Sequence, residues 1–396
     1  MTRNQISIIG QGYVGLPLSL AANAAGFMVY GIDIDLEKIN QLKNGMSTVE
    51  DIENSQIITA LHSGRYIPTA QFDSIKTSEI IIICLPTPLS AARLPDLSYL
   101  ETGLISIGEL LSEDSLVILE STVAPGYTRN TVRNILSKIS HINLNSLKIA
   151  YSPERIDPSN KQWSIVNTPK IVSGINGESQ KRACEFYSKI INQIVQVSSI
   201  EIAETAKLLE NSFRFVNVSF INEFSMLCSQ LDVDISQVIE AAATKPYGFM
   251  AFRPGLGVGG HCIPVDPIYL SSKAKSIGFE AQFIDLAEKI NQQMPEYFIK
   301  KIEQVLGSIA KKKIMVIGIA YKPNVSDIRE SPVLHLIRGL EMKGASVDWH
   351  DDLVRVWNSR KSVSLNSNYD LAVLATKHDN LNLTALGNIP IVRAQG

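Results

Sequence analysis

The chain has 396 residues, enough for two or three domains, and 45% are hydrophobic, which supports an ordinary buried core. Its 37 basic and 39 acidic side chains leave a net charge of −2, so there is no bulk attraction to nucleic acid. No apolar run reaches the roughly 20 residues of a membrane span. Four cysteines (Cys84, Cys184, Cys228, Cys262) without C-x-x-C or metal-like spacing fit a reducing, cytoplasmic setting with no metal and no membrane partner.

In chain order, the pattern predicts a strand over Gln5–Ile9, reached without a signal peptide, and then a helix to residue 25. Further strands are predicted at Met28–Ile32, 80–85, Leu116–Leu119 and Lys148–Tyr151. Strands alternating with helices imply a parallel, doubly wound sheet. From 200 to 231, Ile202, Ala206, Leu209, Phe213, Val216, Phe220, Phe224, Leu227 and Leu231 recur at spacings of three and four. That is a long amphipathic helix, whose apolar face suits an intramolecular core or a subunit interface. A second α/β unit follows, with strands at 313–319, Ser346–His350 and 370–375 and a helix at 332–343. The expected fold class is α/β: two Rossmann-like doubly wound domains joined by a long central helix and helical middle domain. The expected boundaries are 1–198, 199–302 and 303–396.

Three local features carry chemistry. Gly10-Gln11-Gly12-Tyr13-Val14-Gly15 follows a strand and opens a helix, and Asp33 ends the next strand 23 residues after Gly10. This context marks a dinucleotide site, with pyrophosphate at the helix N-terminus and the ribose diol on Asp33, which favours NAD over NADP. FAD shares the fingerprint. On the long helix, Glu204, Lys207, Asn211 and Arg214 form one polar stripe opposite the apolar face, either a solvated face or donors for an anionic ligand. Finally, Pro254-Gly255-Leu256-Gly257-Val258-Gly259-Gly260-His261-Cys262 places a cysteine directly after a glycine-rich loop. Cys84, Cys184 and Cys228 read as small core residues; Cys262 reads as a candidate nucleophile. Asp266 is a helix cap or a general base, and His261 a base or an incidental loop residue. A redox cofactor with a cysteine nucleophile suggests aldehyde oxidation through a thiohemiacetal and a thioester. The alternative is a simple alcohol dehydrogenase with a structural cysteine.

These segments, together with Pro86-Thr87-Pro88, Glu120-Ser121-Thr122-Val123-x-Pro125-Gly126, Ser152-Pro153-Glu154-Arg155 and Gly318-x-Ala320-Tyr321-Lys322, resemble the UDP-glucose/GDP-mannose dehydrogenase family. So does Asp327-x-Arg329-Glu330-Ser331. The resemblance implies NAD-dependent, two-step oxidation of the C6 alcohol of a nucleotide sugar. It implies catalytic roles for Cys262, Lys207, Asn211, Asp266, Thr122 and Glu154. Cofactor contacts would come from Gly10, Gly12, Tyr13, Val14, Gly15, Asp33, Lys38, Thr87, Ser121, Thr122 and Arg329. Substrate contacts would come from Glu154, Arg155, Lys207, Asn211, Arg214, Arg253, Gly257, Gly259, Tyr321 and Lys322.

The chain departs from the family pattern at Pro158, where members often carry Glu and where Asp157 is the remaining acid. Arg253 is the candidate for an arginine that some members lend across a dimer, and the C-terminal domain, ending at Gly396, is short. The segments from Ser152 to Lys161 and from Asn167 to Lys170, with Asn211-Ser212-Phe213-Arg214, Asn217 and Asn222-Glu223, resemble the branch acting on UDP-N-acetylhexosamines. The expected substrate is UDP-N-acetylglucosamine, with the galacto and manno epimers and UDP-glucose as alternatives. The expected assembly is a homodimer through the long helix. A non-catalytic, NAD-responsive sugar-nucleotide-binding protein is the competing class.

Overall fold

The computed structural model describes residues 4–157, 160 and 162–394. Pro158, Ser159, Lys161 and Gly396, named above, lie outside the described residues. The chain separates into two compact units, divided between Leu209 and Glu210.

In the first unit, eight strands form one sheet: β1 (Gln5–Ile9), β2 (Met28–Ile32), β3 (Tyr66–Thr69), β4 (Ile80–Ile83), β5 (Leu116–Leu119), β6 (Lys148–Tyr151), β7 (Lys170–Gly174) and β8 (Ile194–Gln196). Their order is β3-β2-β1-β4-β5-β6-β7-β8. The pairings from β3 through β6 are parallel, β7 runs antiparallel to β6, and β8 is parallel to β7. The first six strands have the doubly wound dinucleotide-binding order, which reverses between β1 and β4. Helices α1 (Gly15–Ala24), α2 (Leu36–Lys43), α3 (Asn54–His62), α4 (Ser98–Gly108), α5 (Arg133–Ser140) and α6 (Gly177–Tyr187) lie between the strands in sequence. Strand β4 is four buried isoleucines because both faces of a parallel sheet are covered. Ile80 and Ile82 join one core layer with Ile8 and Leu16, while Ile81 and Ile83 join the other with Val117 and Leu119.

Helix α7 (Ile200–Gln230) runs from the first unit into the second. The second unit continues with α8 (Ile235–Ala243), α9 (Asp266–Ser276) and α10 (Gln282–Leu306). It then builds a four-stranded parallel sheet in the order β10-β9-β13-β14, from β9 (Lys313–Ile317), β10 (Ser346–His350), β13 (Leu371–Leu374) and β14 (Ile391–Arg393). Helix α11 (Pro332–Met342) follows β9, and a small antiparallel pair, β11 (Val356–Trp357) and β12 (Arg360–Lys361), follows β10. The strand expected at 313–319 stops at Ile317 because Gly318 turns the chain at φ +79.

Helix α7 is inside out. None of the nine periodic apolar residues from Ile202 to Leu231 is buried, and Leu209 and Phe220 are 64% and 58% exposed. The buried side carries Ala203, Glu204, Lys207, Leu208, Phe215, Ser219 and Asn222. Several of its polar groups are hydrogen-bonded, whereas the buried Ser212 hydroxyl has no partner among the described residues. Asn222 accepts from Gly255 N at 2.8 Å and donates to Asn291 Oδ1 at 3.1 Å, and Asn291 donates to Ser219 at 2.7 Å. The sequence-predicted polar stripe is therefore split: Glu204 and Lys207 are buried, Asn211 is half-buried and Arg214 is exposed.

Candidate active site

In the first unit, the candidate residues stand at the carboxyl ends of β1, β2, β4, β5 and β6. Gly10 leaves β1 at φ +91, and a Cβ there would lie 2.5 Å from the Cys84 carbonyl oxygen at the end of β4. A Cβ on Gly15 would collide with the Gly10 carbonyl, so helix α1 can start only with glycine here. A Cβ on Gly12 would meet nothing within 4 Å, which leaves open space over the turn. Tyr13 and Val14 are half-buried around that turn. At the end of β2, Asp33 accepts from Gln11 N at 2.9 Å and Asp35 N at 3.0 Å, and pairs with Lys38 Nζ at 2.8 Å. Ser121 donates to the Leu85 carbonyl at 2.7 Å and so ties the β5 end to the Pro86-Thr87 turn, with Thr122 half-buried beside it.

Glu120, at the end of β5, belongs to a charged cluster inside the protein. Lys170 Nζ is 2.9 Å from Glu120 Oε2 and 3.3 Å from Glu154 Oε2, and Tyr187 donates to the other Glu120 oxygen. Glu154 Oε1 accepts from Arg155 N and Ile156 N, both at 2.6 Å. Burial works against the Glu154 carboxylate, but Lys170, these two N–H groups and Lys207 outweigh it and hold its pKa below the usual range. Burial wins at Glu120, whose carboxyl stays above that range despite Lys170. Burial, reinforced by Glu120, also pushes the Cys84 thiol well up, which disfavours its thiolate. Arg155 Nη1 donates to the Pro169 carbonyl at 2.7 Å. Glu204 links α7 to this region, accepting from Gly126 N at 2.6 Å and Thr128 N at 2.9 Å.

In the second unit, Asn211 Nδ2 donates to Asp266 Oδ2 at 2.5 Å. Asp266 is 2% exposed and is the first residue of α9, where the helix dipole favours a carboxylate. Asp266 N and Val265 N bond back to the Cys262 carbonyl at 2.9 and 3.0 Å, so the cysteine closes onto the start of that helix. The preceding glycines serve close backbone packing. A Cβ on Gly259 or Gly260 would press into Tyr321, at 2.7 and 2.8 Å, and a Cβ on Gly257 would lie 3.0 Å from the Asn291 carbonyl. Lys322 Nζ lies 5.9 Å from the Tyr321 ring centre. Arg253 is exposed. Arg329 is bound to Asp327 at 2.6 Å through Nη2.

Comparison with known proteins decides what this arrangement belongs to. Residues 4–194 match the NAD binding domain of the UDP-glucose/GDP-mannose dehydrogenase family, 201–293 its central domain and 315–390 its UDP binding domain. The chain belongs to the UDP-glucose/GDP-mannose dehydrogenase family. It is 33% identical to a UDP-N-acetyl-D-glucosamine 6-dehydrogenase of Salmonella typhi, over 94% of this chain and 90% of that one. It is 32% identical to a UDP-N-acetyl-D-mannosamine dehydrogenase of Pyrococcus horikoshii, over 94% and 89%. A solved UDP-D-ManNAc dehydrogenase structure from Pyrococcus horikoshii superposes with a TM-score of 0.90 at 30% identity, covering 99% of this chain and 95% of that one.

This dehydrogenase is an NAD-dependent oxidoreductase acting on a UDP-sugar. The open Gly12 turn and the Asp33–Lys38 pair fit a dinucleotide on the first sheet. The second sheet repeats the design with its acid occupied. Asp351, just after β10, accepts from Ile319 N at 2.8 Å, Ala320 N at 3.2 Å and Leu353 N and Val354 N at 2.9 Å, and lies 3.2 Å from His378. Sequence reading took Lys170 only as the end of a segment resembling the hexosamine branch and did not single out Tyr187; both stand far along the chain from Glu120 and meet it through the antiparallel turn-back of β7 and the packing of α6. No helix among the described residues is long and apolar enough to cross a membrane.

Proposed function

We propose that the protein oxidises the C6 alcohol of a UDP-N-acetylhexosamine, with UDP-N-acetylglucosamine as the lead substrate, to the uronic acid in two steps on one site. The observation that carries this reading is the Cys262 loop, closed onto the N-terminus of α9 where Asn211 holds Asp266. Gly10, Gly12, Gly15, Asp33 and Lys38 would hold NAD, which would supply the hydride acceptor for both oxidations.

The alcohol loses a proton and a hydride to give the aldehyde. The Cys262 thiolate adds to the carbonyl carbon and the oxygen takes up a proton, giving a thiohemiacetal that keeps the aldehyde bound. Lys207 and Asn211 stabilise the oxyanion at that carbon. A second loss of proton and hydride gives a thioester. Water positioned by Thr122 and Asp266 then adds, the carbon–sulfur bond breaks, and the acid leaves with the thiolate restored. Glu154, held ionised by its surroundings, serves the proton transfers. Arg155, Arg214, Gly257, Gly259, Tyr321 and Lys322 supply sugar-nucleotide contacts. Thr87, Ser121 and Arg329 complete the cofactor side.

The relatives named for UDP-N-acetylglucosamine and UDP-N-acetylmannosamine support the hexosamine class. An NADH assay over UDP-glucose, UDP-GlcNAc, UDP-GalNAc and UDP-ManNAc decides among them. The expected result is two NADH per UDP-GlcNAc, with kcat/KM at least tenfold above the other sugars. A higher kcat/KM for UDP-ManNAc would reassign the substrate. Cys262→Ser is expected to lose at least 1,000-fold in acid formation while still binding NAD. Undiminished acid formation would remove Cys262 from the mechanism.

We also propose a homodimer through α7, because six residues of its periodic apolar face, from Ile202 to Leu231, are exposed. Arg253 is the candidate for a residue lent to the partner's site.

A further inference from the structure

The two sheets repeat one design but give the acid a different side-chain partner. Gly10 after β1 and Gly318 after β9 both turn at positive φ, +91 and +79, and a Cβ on either would strike a carbonyl, that of Cys84 after β4 or Thr376 after β13. Asp33 Oδ2 accepts from the residue after Gly10, and its Oδ1 from Asp35 N. Asp351 Oδ2 accepts from the residue after Gly318, and its Oδ1 from Leu353 N. The side chain that meets Asp33 is Lys38, on α2. The side chain that meets Asp351 is His378, from the segment after β13, with Nε2 3.2 Å from Oδ1.

The order β10-β9-β13 puts the switch point of this sheet between β9 and β13, where open α/β sheets take their ligands. His378 reaches across the end of β9 at that point. It is 4% exposed and Asp351 1%. His378 Nδ1 accepts from Asn324 N at 2.9 Å. A backbone N–H only donates, so Nδ1 carries no proton and the imidazole proton lies on Nε2, facing Asp351. The segment from Ile319 to Asn324 is thereby tied at both ends. Asp351 holds Ile319 N and Ala320 N, and Thr376 donates to the Ala320 carbonyl at 2.8 Å. His378 holds Asn324 N, and Asp379 N donates to Asn324 Oδ1 at 3.1 Å. Tyr321 and Lys322 stand between these ties.

We propose that His378, bridging Asp351 and Asn324 N, is a positioning residue for the nucleotide-sugar: it fixes the loop that carries Tyr321 and Lys322. The inference rests on the reading of those two residues as nucleotide-sugar contacts. In the first sheet the acid is placed to serve a ribose; here the same acid is taken up in holding a loop, and recognition passes to the side chains of that loop. A loop ordered in advance loses less freedom when ligand binds. Loosening it therefore weakens binding of the sugar nucleotide without touching the reacting atoms.

The test has two readouts on the full-length protein. In protein carrying 15N-labelled histidine, near neutral pH, the imidazole resonances lost in His378→Leu belong to His378. They are expected to show an unprotonated Nδ1 and a protonated Nε2, and a protonated Nδ1 would overturn the proposal. In the NADH assay with the UDP-sugar of highest kcat/KM, His378→Leu fills similar space with neither hydrogen bond. It is expected to raise KM for that sugar about tenfold, the scale of one lost buried hydrogen bond. The kcat and the KM for NAD should stay within about twofold of wild type. His378→Asn, which keeps an acceptor towards Asn324, should raise KM by a smaller factor and covers the case of a poorly folding leucine variant. An unchanged KM for the sugar nucleotide in both variants would overturn the proposal. So would a fall in kcat at constant KM, which is what a mere loss of folded protein produces. Failure of the contact reading is separate: it appears as an unchanged KM in Lys322→Ala and Tyr321→Ala and leaves the His378 result standing.

Discussion

Lys170 is the residue on which most buried charge converges. It is 4% exposed, stands between two carboxylates and lies over the Tyr187 ring at 5.2 Å. Breaking a buried ion pair from one side leaves an uncompensated charge, which costs about 3–5 kcal/mol, whereas replacing the partners together costs much less. Lys170→Met is therefore expected to lower stability by about 3–5 kcal/mol in urea unfolding. Adding Glu120→Gln should recover at least half of that loss. A cost under about 1 kcal/mol for the single change would show that the cluster does not act as one charged unit. Lys170 and Glu120 stand 50 residues apart. No local pattern in the sequence announces the pair, unlike the glycine fingerprint, whose spacing is itself the signal.

At the scale of elements, α7 has two jobs, and Glu204 joins them. The helix carries Lys207 one turn after Glu204, and Glu204 fastens it to the Gly126 turn that follows Thr122. Burial, only partly offset by the bonds from Thr128 and Gly126, raises the Glu204 pKa from 4.5 to about 7. The folded chain thus binds this proton more tightly than the unfolded chain. The resulting stability is complete below about pH 4.5 and is lost as pH rises through about 7. Glu204→Gln lacks this titration. The Tm of the variant minus that of wild type is expected to rise steadily between pH 5 and 8, and a flat difference would rule out the raised pKa. The long periods of α7 and the exact bounds of β1, β2, β5, β6 and β10 are legible in sequence, because buried parallel strands and amphipathic helices repeat their own pattern. Strands β3 and β8 are not. Each is short and at a sheet edge, and Pro68 interrupts β3. Periodicity also marked the apolar stripe of α7 without showing which side faces the core of its own chain.

At the scale of the whole molecule, that stripe is a run of exposed apolar side chains along one helix. Ile202, Leu209, Phe213, Phe220, Leu227 and Leu231 are all exposed, at separations of seven or four residues. This is the spacing of a helix seam that packs against another helix. Tyr247 and Met250 add exposed apolar surface beyond α8. An apolar run this long on a surface marks an interaction site, and a second copy of the same helix supplies a self-complementary occupant about a two-fold axis. A negative charge placed in the centre of such an interface has no partner and must be desolvated. The double variant Leu209→Asp/Phe220→Asp is therefore expected to weaken self-association by about 100-fold or more, equivalent to about 2.8 kcal/mol. Sedimentation velocity across a micromolar concentration series reads this directly, as a dimer in wild type and a monomer in the variant. Wild type sedimenting as a monomer at these concentrations would refute the dimer. If Arg253 also completes the partner's site, the monomeric variant should lose turnover and recover it as rising concentration restores the dimer; unchanged turnover in the monomer would leave each chain with a complete site of its own.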